Sequence, residues 1–288
     1  MNRFTKCMVL LLLLLSLHSR VHAGEMRLAT EEETKFYTST VVPAQNAVKK
    51  AMPPAAAGWV KASESTLPDG KSSEMSRLHF SYLVIYKRTA GVAEEKKKLR
   101  SVYAESSRRH EEEVRADIER LIDQQSEIAS ALRKATKRKN QPEIDRLNSE
   151  LDENGKKMSA LHKDMNDAIA RDVEPYLVKD AEASIRVSVN DAYAEFSATD
   201  SFLQPKSVFA LRSVGERTGV TGWSEGQILL LYGNWQKGGQ DSYRAIIEQS
   251  PVDPSVKTIT IVISGEKKRI DDLLQRMDIN AILSLMKK

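Results

Sequence analysis

Two apolar runs at heptad spacing constrain the fold more than any other feature of the sequence. Apolar or small residues recur in alternating steps of four and three along two consecutive stretches, as in a coiled-coil seam. The first run holds Val114, Ile118, Leu121, Ile128, Leu132 and Ala135, and the second holds Ile144, Leu147, Leu151, Met158, Leu161, Met165 and Ala168. Between the runs, Pro142 suits the first turn of a new helix, because it has no N–H to lose there. We therefore expect two long helices that form an antiparallel hairpin.

The register of such a hairpin follows from the numbering, because facing residues have numbers that add to a constant. Here the constant is 279, so that Leu132 faces Leu147. Each run has one polar gap, and the same rule places Gln125 opposite Asn154. A buried amide pair satisfies its own hydrogen bonds, whereas an amide slipped against leucine costs about 1 to 3 kcal/mol. We therefore predict that Gln125 and Asn154 fix the register.

A glycine interrupts the second run. Residues 152–155 have the local composition of a turn, and Gly155 inside a helix costs about 1 kcal/mol relative to alanine. The apolar rhythm nevertheless continues in phase as far as Ala168. This continuity favours one helix with a weak point over a chain reversal.

The sequence on both sides of the hairpin predicts an α+β body with a mostly antiparallel sheet. Alternating apolar residues in 76–87 are typical of a strand, and the consecutive apolar residues of 226–235 indicate a strand buried on both faces. A capping box at Thr30 and Glu33 predicts an N-terminal helix. An amphipathic stripe predicts another helix at 266–277.

These elements predict one body assembled from residues 24–90 and 179–288. The hairpin, residues 91–178, is then inserted between the first two strands of that body. The second of those strands is expected over 185–196, with a bulge near Asn190. The body sums to about 180 residues, enough for a hydrophobic core of its own.

The N-terminus has the composition of a secretory signal peptide over residues 1–23. Two cations precede an apolar run at 8–17, and small residues surround the expected cleavage point near Ala23. The run is well short of the ~20 residues that a membrane-spanning helix needs. Because the only cysteine, Cys7, leaves with this segment, disulfides and cysteine metal sites are excluded. We expect an exported protein, either periplasmic or secreted.

The charge balance gives no support to nucleic-acid binding. The chain has 44 Lys and Arg residues against 40 Asp and Glu. Cleavage would remove Arg3, Lys6 and Arg20 and no acid, which leaves 41 against 40. A nearly neutral mature protein lacks the overall basic charge that nucleic-acid binding requires.

The predicted hairpin tip concentrates positive charge. Five cations fall within seven residues, namely Arg133, Lys134, Lys137, Arg138 and Lys139. They could contact an anionic partner, such as an acidic protein or a membrane surface. The alternative is structural, because cations at a helix C-terminus complement the helix dipole.

Three tryptophans suggest a second candidate site in the body. Trp59, Trp223 and Trp235 could line a ligand cleft, since tryptophan supplies much apolar surface and one donor. Packing in the core is the alternative interpretation. Trp59 falls in residues 55–76, which carry loop and turn signals.

No motif in the sequence indicates catalysis, a metal or a cofactor. The histidines of the mature chain, His79, His110 and His162, are not at metal-ligand spacing, and the acidic clusters resemble solvated helix faces. We therefore expect a non-catalytic structural or interaction protein with no cofactor. Its hairpin would bind an envelope protein or another copy of the chain. The alternatives are a small-ligand-binding envelope protein and, with no residue constellation to support it, an enzyme.

Overall fold

The structure is a computed structural model that describes residues 29–65, 77–248, 250 and 252–287. The predicted signal peptide lies outside the described residues. The helices are α1 (Glu31–Phe36), a π-helical turn (Tyr37–Val41), α2 (Val42–Ala51), α3 (Val92–Arg138), α4 (Gln141–Val173), a 3-10 turn (Glu174–Tyr176), α5 (Lys267–Arg276), α6 (Ile279–Leu283) and a 3-10 turn (Ser284–Lys287). The predicted capping box is confirmed, because Thr30 and Glu33 bond each other's backbone N–H groups.

The strands form one large sheet and two small ones. They are β1 (Trp59–Glu64), β2 (Phe80–Arg88), β3 (Glu182–Val189), β4 (Tyr193–Glu195), β5 (Asp200–Ser201), β6 (Phe209–Ser213), β7 (Glu216–Thr218), β8 (Gly222–Ser224), β9 (Gly226–Gly233), β10 (Trp235–Lys237), β11 (Ser242–Ala245) and β12 (Thr258–Gly265). The large sheet is antiparallel, in the order β1-β2-β3-β12-β9-β6-β5, and the small sheets are β10-β11-β4 and β7-β8. This arrangement confirms the predicted α+β class.

Two cores cover opposite faces of the large sheet. The larger core lies between the sheet and helices α1, α2, α5 and α6, and it contains Ile228 and Leu230 of β9. The smaller core contains Leu229 and Leu231 of the same strand, together with Tyr243 of the three-stranded sheet. Alternate residues of β9 therefore point into different cores, as the consecutive apolar run predicted.

The helical hairpin is formed by α3 and α4, which pack against each other between β2 and β3. At 1.5 Å per residue, the 47-residue α3 is about 70 Å long and the 33-residue α4 about 50 Å. Helix α4 runs without a break through Gly155, as the apolar rhythm predicted. A Cβ atom at Gly155 would meet nothing within 4 Å, so the glycine weakens the helix without serving the packing.

The predicted pairing of Gln125 with Asn154 is not found in the structure. Asn154 instead lies 3.5 Å from the side-chain oxygen of Gln124, the residue before the predicted partner. Asn154 is buried and donates to the carbonyl oxygen of Leu121 at 3.1 Å, whereas Gln125 is exposed. Matching seam positions between the two helices does not predict this bond, because its acceptor is a backbone carbonyl oxygen. Such an oxygen accepts one bond within its own helix and keeps a second lone pair for a buried amide.

Two strand predictions also need correction. Strand β1 lies within the predicted loop, so the hairpin follows the second strand of the body rather than the first. Most of β1 is exposed because it is the edge of the sheet, and it therefore shows no alternation of apolar residues.

The predicted strand 185–196 is two strands, because Asn190 adopts a left-handed conformation (φ 60°) and directs β4 into a different sheet from β3.

Candidate functional site at the tip and base of the helical hairpin

The tip of the hairpin is a tight two-residue connection. Helix α3 ends at Arg138 in a Schellman arrangement, in which the N–H of Asn140 donates to the Ala135 carbonyl at 3.1 Å and that of Lys139 to the Thr136 carbonyl at 3.1 Å. Lys139 occupies the left-handed position of this motif with φ 57°, where glycine is the favoured residue. Lys139, at the apex of the turn, therefore has a strained backbone conformation.

The five predicted tip cations lie together and are all exposed. Within the described residues, none of them is within 4.0 Å of an acidic group. The nearest acids in sequence have other partners, since Glu143 accepts from the Asn140 amide and Asp145 from the Gln141 amide, each at 2.8 Å. The tip thus presents five solvated positive charges on about two turns of helix and one connection.

A polar cluster closes the base of the hairpin. Asp172 of α4 accepts hydrogen bonds from Ser106 at 2.5 Å and from Arg109 at 2.5 Å, and its carboxylate lies 2.9 Å from His110 Nε2. The other ring nitrogen of His110 is 2.6 Å from Glu113. These two carboxylates raise the pKa of His110, and the bonds from Ser106 and His110 lower the pKa of Asp172.

The body joins the hairpin at this same end. Arg217 of β7 donates to the Ala170 carbonyl at 2.5 Å and also bonds Glu174, at the end of α4. The start of α3 is held by the Arg88–Glu95 ion pair and by Lys98, whose ammonium lies 4.9 Å from the ring centre of Tyr176. Among the described residues, every ion pair or side-chain hydrogen bond between body and hairpin lies at this end.

An acid-lined cavity of about 900 Å³ lies in the body close to the hairpin base. Glu195, Glu216, Glu225 and Asp241 line it, and no lysine, arginine or histidine does. One oxygen of Glu225 is buried and has no hydrogen-bond partner in the described part of the chain. Burial and the negative charges of Asp180, Glu182 and Glu266 raise the pKa of Glu225 from 4.5 to about 7. The excess of acidic over basic side chains in its wall favours a cationic group in this cavity.

The three tryptophans do not form the predicted cleft. Trp59 is buried in the larger core, under the guanidinium of Arg269 at 4.2 Å. Trp235 is buried in the smaller core on the opposite face of the sheet, where its indole N–H donates to the Tyr232 carbonyl at 3.1 Å. Trp223 lies on β8 beneath the Lys179 ammonium, 4.4 Å from its ring centre. All three have a packing role, which was the alternative interpretation.

Other classes of site are equally unsupported in the described part of the chain. It contains no group of three or more His, Cys, Asp or Glu residues arranged to hold a metal ion. No helix in residues 29–65 or 77–287, gaps aside, combines the length and apolar character of a membrane span. No protein-family model matches the chain, and no curated protein or solved structure is significantly similar to it.

Sequence reasoning missed both the Asp172 cluster and Glu225. The cluster had a sequence signal, since Ser106 and Asp172 have numbers that add to 278, within one of the predicted constant, and a search for polar pairs near that constant finds it. Glu225 has no such signal. Its surroundings come from segments more than 35 residues away in the sequence, so its altered pKa appears only in the folded chain.

Proposed function

We propose that this chain is an exported interaction protein that uses its helical hairpin as an arm, with the basic tip as the contact point for an envelope protein partner or another copy of itself. The observation that carries this proposal is the separation of the tip from the body. Among the described residues, residues 99–169 make no ion pair or side-chain hydrogen bond with the body, and the five tip cations have no acidic partner.

A hairpin of about 80 residues whose helices bury their seam only against each other adds little to the core of the body. Its effect is to place a charged surface about 50 Å from the base. An anionic surface attracts such a tip and accelerates encounter. For self-association, the acid-lined cavity offers the complementary charge.

Charge and reach can be tested separately. The tip variant replaces the five cations with glutamine, and its matched control replaces five exposed cations nearer the body on the same helix. The control positions are Lys96, Lys97, Arg100, Arg108 and Arg115. A third variant deletes residues 114–127 and 151–164, which removes two heptads from each helix, preserves the register and shortens the arm by about 21 Å.

The measurement is co-purification of envelope proteins by quantitative mass spectrometry, together with sedimentation velocity for self-association. We expect a discrete partner or a self-associated species with the native protein and the control, and its loss with the tip and shortened variants. Equal binding by all four proteins would contradict the proposal.

Export needs its own test. We expect the N-terminus of the protein recovered from its natural host to begin just after Ala23 and the protein to lie outside the cytoplasm. An intact N-terminus on a cytoplasmic protein would contradict export and leave the arm itself open to test.

A further inference from the structure

A second cavity lies at the end of the sheet remote from the hairpin. Its volume is about 340 Å³, and it is lined by Lys206, Tyr232, Asn280, Leu283 and Met286, among others. This volume is within the range of small-molecule sites and has room for about eleven groups the size of a water molecule. The cavity is separate from the hairpin and contains none of the tryptophans.

A buried hydroxyl group in the wall of this cavity has a proton without an acceptor among the described residues. Tyr232 is 1% exposed, and its Oη has no partner at hydrogen-bond distance there. The nearby Gln204 amide lowers the pKa of Tyr232, so it approaches as a donor and leaves the hydroxyl proton unpaired. Burial raises the pKa of Tyr232 to about 12, so the hydroxyl keeps its proton and remains a donor. Leaving a buried donor unpaired is costly, and a ligand acceptor would remove that cost.

A strained lysine stands at the mouth of the same cavity. Lys206 has φ 66°, a conformation that a residue with a side chain rarely adopts. Its ammonium donates to the side-chain oxygen of Asn280 at 3.0 Å, which ties the loop to the C-terminal helices. An ammonium has three donors, and no acid of the described residues lies within 4.0 Å of this one, so two donors and the charge remain for a ligand. Strained backbone of this kind is characteristic of binding sites.

Leu283 and Met286 form the apolar part of the wall, beside the polar side chains of Asn280 and Ser284. Leu283 is 7% exposed and Met286 is partly buried. Methionine is flexible enough to move aside for a ligand. The cavity therefore combines one cation, one unpaired hydroxyl donor and an adaptable apolar surface.

We propose that this cavity binds a small amphipathic carboxylate. The carboxylate accepts hydrogen bonds from Lys206 and Tyr232, and the apolar chain packs against Leu283 and Met286. Because Tyr232 is only 1% exposed, its hydroxyl reaches a ligand only when a side chain of the wall moves, and the flexible side chain of Met286 is the one that we expect to move. This site is independent of the hairpin and of the proposed function.

The test uses octanoate and its neutral analogue octan-1-ol as probes. Binding is followed by NMR of the methionine methyl groups, with the Met286 signal assigned by its loss in Met286→Leu. Met158 and Met165 in the hairpin serve as internal references. The variants are Lys206→Met, Tyr232→Phe and the control Lys237→Met, which removes an exposed lysine outside the cavity.

We expect octanoate to shift the Met286 signal in a saturable way, with at least tenfold preference over octan-1-ol. Lys206→Met should abolish the preference, Tyr232→Phe should weaken octanoate binding several-fold, and Lys237→Met should change neither. An unshifted Met286 signal, or a preference for octanoate that survives in Lys206→Met, would overturn the proposal.

Discussion

The partly buried carboxyl of Glu225 allows a quantitative prediction about stability and pH. Folding raises its pKa from 4.5 to about 7, so the folded state holds the proton more tightly than the unfolded state does. The tighter binding of this proton stabilises the folded state. That contribution is fully present below pH 4.5 and is lost as the pH rises through about 7. The neighbouring charges are those of Asp180, Glu182 and Glu266, together with Arg269, which lies 3.6 Å from Asp180.

Glu225→Gln removes this loss of stability at high pH, because glutamine is uncharged at every pH. The full pKa change corresponds to an upper limit of about 3 kcal/mol, and partial solvent screening reduces it. We expect the free energy of unfolding of the variant, relative to the native protein, to increase by about 1 to 2.5 kcal/mol between pH 5 and pH 8.5. Hydrogen bonds to carboxylates raise the pKa of His79 and of His110, but both histidines are present in both proteins, so their contributions cancel in the difference.

The assay is urea denaturation at pH 5, 7 and 8.5, monitored by tryptophan fluorescence. Glu216→Gln is the matched control, because Glu216 is an exposed carboxylate in the same cavity wall. Because Glu216 is exposed, we expect the stability of Glu216→Gln relative to the native protein to change less between pH 5 and pH 8.5 than that of Glu225→Gln. A Glu225→Gln difference that stays constant across the three pH values, or grows toward pH 5, would refute the reasoning.

Four further changes probe the hairpin. Lys139→Gly should stabilise the protein by about 1 kcal/mol in thermal or urea denaturation, because it relieves the left-handed conformation, whereas Lys139→Ala removes the same charge without that gain. Asn154→Leu should be neutral or stabilising by up to about 1 kcal/mol, since it removes a buried unpaired oxygen, and a loss above 2 kcal/mol would show that this amide is needed. Arg217→Met should speed amide exchange in the last turn of α4, and unchanged exchange would show that this contact does not hold the base. Asp172→Asn should lower the NMR-measured pKa of His110, which lies above 6.5 in the native protein, and an unchanged value would exclude the pairing.

The hairpin was predictable from sequence because its energetics are local and periodic. Apolar residues repeated every seven positions predict that both segments are helical, that they pack against each other and that they run antiparallel. Pro142 marks the turn between them. The central strands β9 and β12 were predictable for a similar reason, since burial on both faces requires continuous apolar or β-branched residues. Edge strand β1 was not, because exposure removes the selection for alternation.

The same distinction separates the candidate sites that the sequence predicts from those that it does not. The cations of the tip were found because charge density on a short segment is visible in sequence. The partner of Asn154 was not, because a backbone carbonyl as acceptor leaves no mark on residue type. Glu225 and the Tyr232 cavity depend on residues brought together from distant segments, and no spacing rule connects them.

The central claim is that the tip of the hairpin is the part of this protein that meets its partner. A photo-crosslinking amino acid at Lys137 in the natural host, compared with one at Lys97 near the base of the same helix, tests it most directly. We expect a discrete protein adduct at position 137, either with an envelope protein or with a second copy, and none at position 97. Lipid capture, background labelling alone or the same adduct at both positions would contradict it.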